Sequence, residues 1–357
     1  AVSAFIQLLF PPMARGKAFA ILGAVIGVSS ALGPLVGGLI IQALGDETGW
    51  RWIFAVNLPI GVIVLVAAIA LLPSEAAGKA TSNDLIGLVL LSGALVALLV
   101  PLIQGQEEGW PLWTYLSIGG GVLLVVLFAL WERSVASRGK DPLVPPRLFA
   151  HAQFAAGTIL ALVFFAAFTS IFFTISLLWQ AGLGHTALES GLVSVPFAIG
   201  NIIGASQSDR LAARLGRAVL AIGVALLTIG LTALFLILLL VPTADLTNWT
   251  LLGPLLVAGL GSGLFIAPNV RFIVATVDRS EAGAASGVIG TMQRVGAAAG
   301  IAVIGSVFFG NIGPIAGPAD LPAAFGQAAT PALAVSATLA LVAFLLVFTL
   351  PKRVQLH

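Results

Sequence analysis

The sequence predicts an all-α polytopic membrane protein. Three observations carry that prediction. Of 357 residues, 59% are hydrophobic and only 8% are charged, against about 25% charged in an ordinary soluble domain. Mean hydropathy is +1.11, and a soluble chain could not cover its surface with so few polar groups. The apolar residues also gather into ten runs close to the roughly 20-residue length that spans a bilayer as a helix. Gly and Pro number 41 and 19, and transmembrane helices carry both more often than soluble ones do. Soluble globular, disordered and collagen-like classes are excluded.

The runs cover residues 18–43, 52–72, 84–103, 113–131, 153–179, 188–206, 218–241, 250–270, 284–309 and 329–350. They lack the alternation of barrel strands, and helices satisfy their own backbone groups in lipid. Assigning connectors alternately to two sides tests this map. One side collects Arg15, Lys17, Lys79, Arg133, Arg138, Lys140, Arg147, Arg210, Arg214, Arg217, Arg271, Arg279, Arg294, Lys352 and Arg353. The other holds Arg51 with Asp46, Glu47, Glu107, Glu108, Glu189, Asp245 and Asp320. A missed or invented helix would scramble that partition. By the positive-inside rule the basic side is cytoplasmic and both chain ends lie there. Before the first run, Ala1–Phe10 is apolar but too short to span and has no initiator Met. It reads as the end of a helix whose start is absent, or as a trimmed re-entrant segment.

Along the first run, Gly23 and Gly27 are followed by Gly33-Pro34-Leu35-Val36-Gly37-Gly38. Glycines four apart share a helix face and let two backbones approach closely, and Pro34 removes one helical hydrogen bond. The second run opens with Trp50-Arg51-Trp52-Ile53-Phe54-Ala55-Val56-Asn57-Leu58-Pro59-Ile60-Gly61. That order puts an aromatic anchor at the interface and a buried amide, Asn57, just before a helix-bending proline, Pro59.

These two segments resemble the 14-helix drug:proton antiporters (EmrB/QacA type) of the major facilitator superfamily. Gly-Pro-x-x-Gly-Gly is similar to that family's antiporter motif in its fifth helix, and the Trp-Arg-Trp run to the start of its sixth. The third and fourth runs then correspond to the extra helix pair, and the last six to the C-terminal bundle. Gln180-Ala181-Gly182-Leu183-Gly184, Ser190-Gly191-Leu192 and Pro196 resemble the outer turn between helices nine and ten. Ala282-Gly283-Ala284-Ala285-Ser286-Gly287, with Gln293, Arg294 and Gly296, resembles helix thirteen. Arg214-Leu215-Gly216-Arg217 resembles the second copy of the cytoplasmic loop motif, although Ala213 stands where an Asp is usual and Asp209-Arg210 lies a turn earlier.

The resemblance implies three parts: residues 1–73, the remnant of an N-terminal bundle; residues 74–147, a linker with two extra helices; and residues 148–357, a C-terminal six-helix bundle. It implies about ten helices present of an expected fourteen. Polar residues inside the runs, Asn57, Gln180, Asn201, Asn269 and Gln293, are pathway candidates or inter-helix hydrogen-bonding groups. Arg271 lies about 9 Å from the end of its apolar stretch and can snorkel. Arg294 lies about 10 Å in, where an arginine faces the bundle interior or a wet cavity.

Other chemistries lack their residues. Without Cys there is no disulfide, thiolate or Cys-ligated zinc, and His151, His185 and His357 have no metal-ligand spacing. No Gly-Lys pair precedes Ser or Thr, so no phosphate-binding loop is present. Gly259-Leu260-Gly261-Ser262-Gly263 has no preceding strand and reads as helix packing. Asn248-Trp249-Thr250 is a formal glycosylation sequon. No acid, base or metal constellation supports an enzyme, and no basic block suggests nucleic acid.

The expectation is a monomeric multi-pass protein of a bacterial inner membrane. It would export small hydrophobic or cationic molecules by alternating access, with the proton gradient as energy source and no cofactor. A non-transporting scaffold or receptor of the same fold is the alternative. Proton coupling needs a buried carboxylate. On this map all 14 acidic residues fall in connectors or at helix ends. The resemblance implies a coupling acid on the family's first helix, which this chain is expected to lack, and the 357 residues alone are expected not to catalyse coupled transport.

Overall fold

The computed structural model describes residues 5–6, 9–71, 84–105, 108–140, 142–275, 277–278 and 281–350. Lys79, Glu107, Arg279, Lys352, Arg353, most of the Ala1–Phe10 tail and the 73–74 boundary lie outside them. Ten helices among the described residues are long and apolar enough to cross a membrane, and no strand occurs among those residues. They are α1 (Ala14–Leu44), α2 (Glu47–Leu71), α3 (Leu85–Gln104), α4 (Leu112–Ser137), α5 (Ala152–Gly182), α6 (Ala187–Leu215), α7 (Ala218–Leu240), α8 (Asn248–Val274), α9 (Ala282–Gly310) and α10 (Pro318–Val347). The all-helical, ten-span expectation holds, in the expected order.

Three boundaries differ from those read in the sequence. The last helix begins near Pro318, well before residue 329, because Pro322 sits in its first turn and Pro331 is accommodated within it. Helix α6 continues to Leu215, so Asp209, Arg210 and Arg214 lie on helix, not in a loop. Helix α4 continues to Ser137 and carries Glu132, which is only 2% exposed. An acid near a helix end is thus buried here, by neighbours that hydropathy does not reveal.

Helices α5–α10 pack on one another. Helix α8 is the hub for α6 and α7, while α5 lies against α9 and α10. Small residues make these crossings. A Cβ on Gly200 or Gly204 of α6 would run into the carbonyls of Leu256 or Leu260 on α8. In return, a Cβ on Gly259 or Gly263 would run into those of Phe197 or Asn201. Gly261 faces Gly223 of α7 instead, so the Gly-rich run of α8 serves packing, as its sequence suggests. Between the glycines sit large groups. Phe164 stacks on Phe265 with ring centroids 4.0 Å apart, and buried Trp179 donates its indole N–H to Asn248 Oδ1 at 3.1 Å.

The first four helices pack more sparsely. Helix α1 lies on α6 and α8, α2 contacts α1, and α3 pairs with α4 and touches α9. Helix α2 breaks at Val56, where Asn57 Nδ2 donates to the Ile53 and Phe54 carbonyls at 3.3 and 3.2 Å. Asn57 and Pro59 are exposed. The buried amide expected at Asn57 is thus corrected: it serves its own helix, beside a proline that cannot donate a backbone N–H.

Candidate functional site

One face of α1 presents Gly16, Phe19, Gly23, Gly27 and Gly38 inward, and all five are buried. Steps of three, four and four place the first four on one stripe of a 3.6-residue helix. At the basic-rich end, a Cβ on Gly16 would collide with Asp209 of α6, and would stand 2.8 Å from Arg271 Nη1 of α8. Gly23 meets Ala267 of α8, and Gly27 leaves room for the Asn201 amide of α6. At the opposite end Gly38 faces the Ala187–Leu188 backbone, its Cβ position 2.6 Å from Leu188 Cα, while Gly191 faces the Pro34–Leu35 backbone. From Gly16 to Gly38 the seam runs about 33 Å by helix rise, close to the roughly 30 Å hydrocarbon thickness of a bilayer.

Of the motif residues expected from the sequence, the structure brings Gly23, Gly27 and Gly38 into the seam and leaves Pro34 half-buried at Gly191. Gly33 has no described neighbour within 4 Å, and Gly37 meets only Ile53 of α2.

Polar groups punctuate the seam. Asn201 is fully buried and donates to Ser262 Oγ at 3.4 Å, while its Oδ1 has no donor. Away from the seam, on the α5 side of α8, Asn269 is 1% exposed and donates to the Gly157 carbonyl at 3.4 Å. Arg271 Nη1 donates to Asp209 Oδ1 at 2.7 Å, so this arginine near the end of α8 pairs with α6. Sequence reading missed this partnership, Gly16 and Ser262. The available signal was two opposite charges on the last turns of apolar helices that end on the same side.

The loop-motif residues divide. Arg210 and Arg214 ride the end of α6, and two residues, Gly216 and Arg217, separate it from α7. Gly216 makes that turn at φ 55, ψ −130, a conformation that a Cβ disfavours. Arg217 donates to the Phe348 carbonyl at 3.0 Å and to that of Leu350, tying the turn to the end of α10.

Two expected residues lie elsewhere. Gln180 sits exposed in a π-helical turn at the end of α5 and donates to Ser176 Oγ at 2.6 Å. Arg294 lies about 18 Å along α9 by helix rise, counted from the helix start at Ala282. It is exposed on a face shared with Gly283, Gly287 and Gly290, none of which has a described neighbour within 4 Å. Gln293 beside it is half-buried.

The chain is 37% identical over 318 residues to the probable actinorhodin transporter of Streptomyces coelicolor, covering 86% of this chain and 53% of that protein. It is 33% identical over 314 residues to a puromycin resistance protein of Streptomyces alboniger, covering 87% and 60%. The chain thus spans little more than half the length of these relatives. A crystal structure of a bacterial homologue of the iron transporter ferroportin, outward-facing, is similar at a TM-score of 0.36 and 16% identity, over 96% of this chain and 94% of that one. The Major Facilitator Superfamily pattern matches residues 1–301, and the chain belongs to that superfamily of transporters.

Proposed function

We propose that the protein is a proton-coupled exporter of small hydrophobic or cationic molecules, of the 14-helix antiporter kind, working by alternating access. The seam of α1 against α6 and α8 carries this reading. Helices that meet through glycine faces along a full membrane thickness can separate at one end while staying packed at the other. The relatives named for actinorhodin transport and puromycin resistance support small-molecule export as the task. The α3–α4 hairpin, paired with itself and touching α9, fits an inserted pair between two bundles, with boundaries at 73–74 and 147–148.

In this reading the protein is a monomer in a bacterial inner membrane, surrounded by lipid, with its basic-rich end and both chain ends cytoplasmic. The proton gradient supplies the energy without a cofactor. The open glycine face of α9 carries Arg294 beside the pathway, where a cation shapes the local field for substrate and proton.

Everted membrane vesicles carrying the full natural protein test the proposal. A lipophilic cationic dye should be pumped into them on energisation, and a protonophore should abolish uptake. Absence of uptake, or uptake indifferent to the protonophore, would overturn it. Arg294→Ala should slow uptake about tenfold, equivalent to about 1.4 kcal/mol, at unchanged protein yield. An unchanged rate removes Arg294 from the pathway.

A further inference from the structure

The α3–α4 hairpin holds a pair of acids that the export reading does not use. Asp84 stands at the N-cap of α3. Its carboxylate accepts from the Gly87 backbone N–H at 2.9 Å and from the Trp131 indole N–H at 2.9 and 3.0 Å. Glu132, the next residue after that tryptophan, is 2% exposed, and its Oε2 accepts from the Val144 backbone N–H at 2.8 Å. Its Oε1 is buried and has no donor.

That orphan oxygen is aimed at the other acid. A Cβ on Gly87 would stand 2.7 Å from Glu132 Oε1 and closer still to Asp84 Oδ2, so the two carboxyl groups meet across a bare glycine. As two anions they would repel, and a buried oxygen would stay unsatisfied. One proton removes both penalties, because Glu132 then donates through Oε1 to the Asp84 carboxylate, a charge-assisted bond. Burial works to raise the pKa of Asp84, but hydrogen bonds from Gly87, Trp131 and Glu132 prevail and hold it below the ordinary value. Asp84 is therefore the ionised partner and Glu132 carries the proton.

No cation is within ion-pair distance of either acid among the described residues. Facing Glu132 are Asp84 from α3 and the Leu143 and Val144 backbone amides from the segment before α5. On α9, which packs on α3, Glu281 is bonded to Arg147 at 2.5 Å, and Arg294 lies about 18 Å along the helix. Arg133 and Arg138 of the α4 end are exposed and bond to neither acid.

We propose that Asp84 and Glu132 form a proton-binding site, a carboxylic acid–carboxylate pair that clasps the basic-rich end of the hairpin to the segment around Val144 and loosens when its proton leaves to water. The site stands apart from the α1 seam and does not rest on the export reading.

The linkage has a definite sign. Stability supplied by the shared proton is present at low pH and is lost as pH rises past the point where Glu132 ionises in the fold. For the purified full natural protein, the unfolding midpoint should fall by several degrees from about pH 5 to about pH 9. Glu132→Gln donates to Asp84 through its amide at every pH, so it should flatten that profile and match or exceed the natural protein at the alkaline end. Infrared spectroscopy should show a protonated carboxyl C=O band, titrating over the same range, that Glu132→Gln removes. An unchanged profile in the variant, or no such band in the natural protein, would overturn the proposal. Restored alkaline stability on adding sodium would also overturn it, in favour of a metal cation. If the variant fails to fold, the natural protein's band decides, read with and without Asp84→Asn, which should shift it.

Discussion

Helices α2 and α5 each carry a long apolar stretch, and that of α2 is the more apolar of the two. Yet the Asn57–Leu71 part of α2 buries no residue, whereas α5 buries Phe154, Leu160, Phe164, Ile171 and Trp179. Hydropathy reports that a segment spans, not what it packs against, because lipid tails are as apolar as leucine. Packing follows small residues and polar pairs instead. Helices α6, α8 and α9 cross their neighbours through glycine, while Gly61 of α2 has no described neighbour within 4 Å.

The sharpest way to break this contrast is to enlarge one glycine on each side of it. Gly263→Leu would drive a side chain into the Asn201 carbonyl region of α6, and should cost about 3 kcal/mol or more from overpacking. Gly61→Leu should stay within about 0.5 kcal/mol of the natural protein. Unfolding midpoints and monodispersity in detergent would read both. Equal effects would mean that glycine packing does not separate the two regions.

Gly27→Leu probes the boundary between them. The added side chain would displace the Asn201 amide and lift α1 from α6, at about 1–3 kcal/mol. Amide exchange should then rise along α1 and stay slow in α7, α8 and α10. A rise spread evenly over α5–α10 would show that α1 is integral to that unit.

What could be read from the sequence divides along the same line. The ten spans and their order were legible because length and hydropathy are local properties. The glycines of α1 were legible as a packing face, and Gly23, Gly27 and Gly38 do meet α6 and α8. Partners across helices were not legible. Nothing local pairs Arg271 with Asp209, 62 positions away, or points Asn201 at Gly27. Glu132 was missed for a related reason: the Trp131-Glu132-Arg133 run reads as an interfacial helix end, and its neighbours Gly87 and Val144 lie elsewhere in the sequence. Asn57 failed in the opposite direction, since an amide inside an apolar run suggests an inter-helix bond but can equally serve its own backbone.

A smaller effect is expected at the ion pair. Asp209 and Arg271 side chains are 37% and 27% exposed, so water screens much of their attraction. A double-mutant cycle with Asp209→Asn and Arg271→Gln should give a coupling of about 0.2–1 kcal/mol. A coupling well above that range would mean the seam excludes water at Gly16, making this end of the seam the firmer one.

The smallest contrast lies at helix ends. Helix α6 opens with a capping box: Thr186 Oγ1 accepts from the Glu189 N–H at 3.2 Å, and Glu189 Oε2 accepts from the Thr186 N–H at 2.9 Å. Helices α1 and α2 start without side-chain caps. Near the start of α2, the Thr48 hydroxyl instead donates to the Leu44 carbonyl at 2.9 Å, a bond that water can replace. Thr186→Ala takes the acceptor from the Glu189 backbone N–H and should cost about 1 kcal/mol, whereas Thr48→Ala should cost less than half of that. Because a cap acts within one turn, Thr186→Ala should lower the unfolding midpoint without raising amide exchange in α8. Raised exchange there would mean that the α6 start transmits to the hub, and that the well-packed region is held from its ends as well as from its glycine crossings.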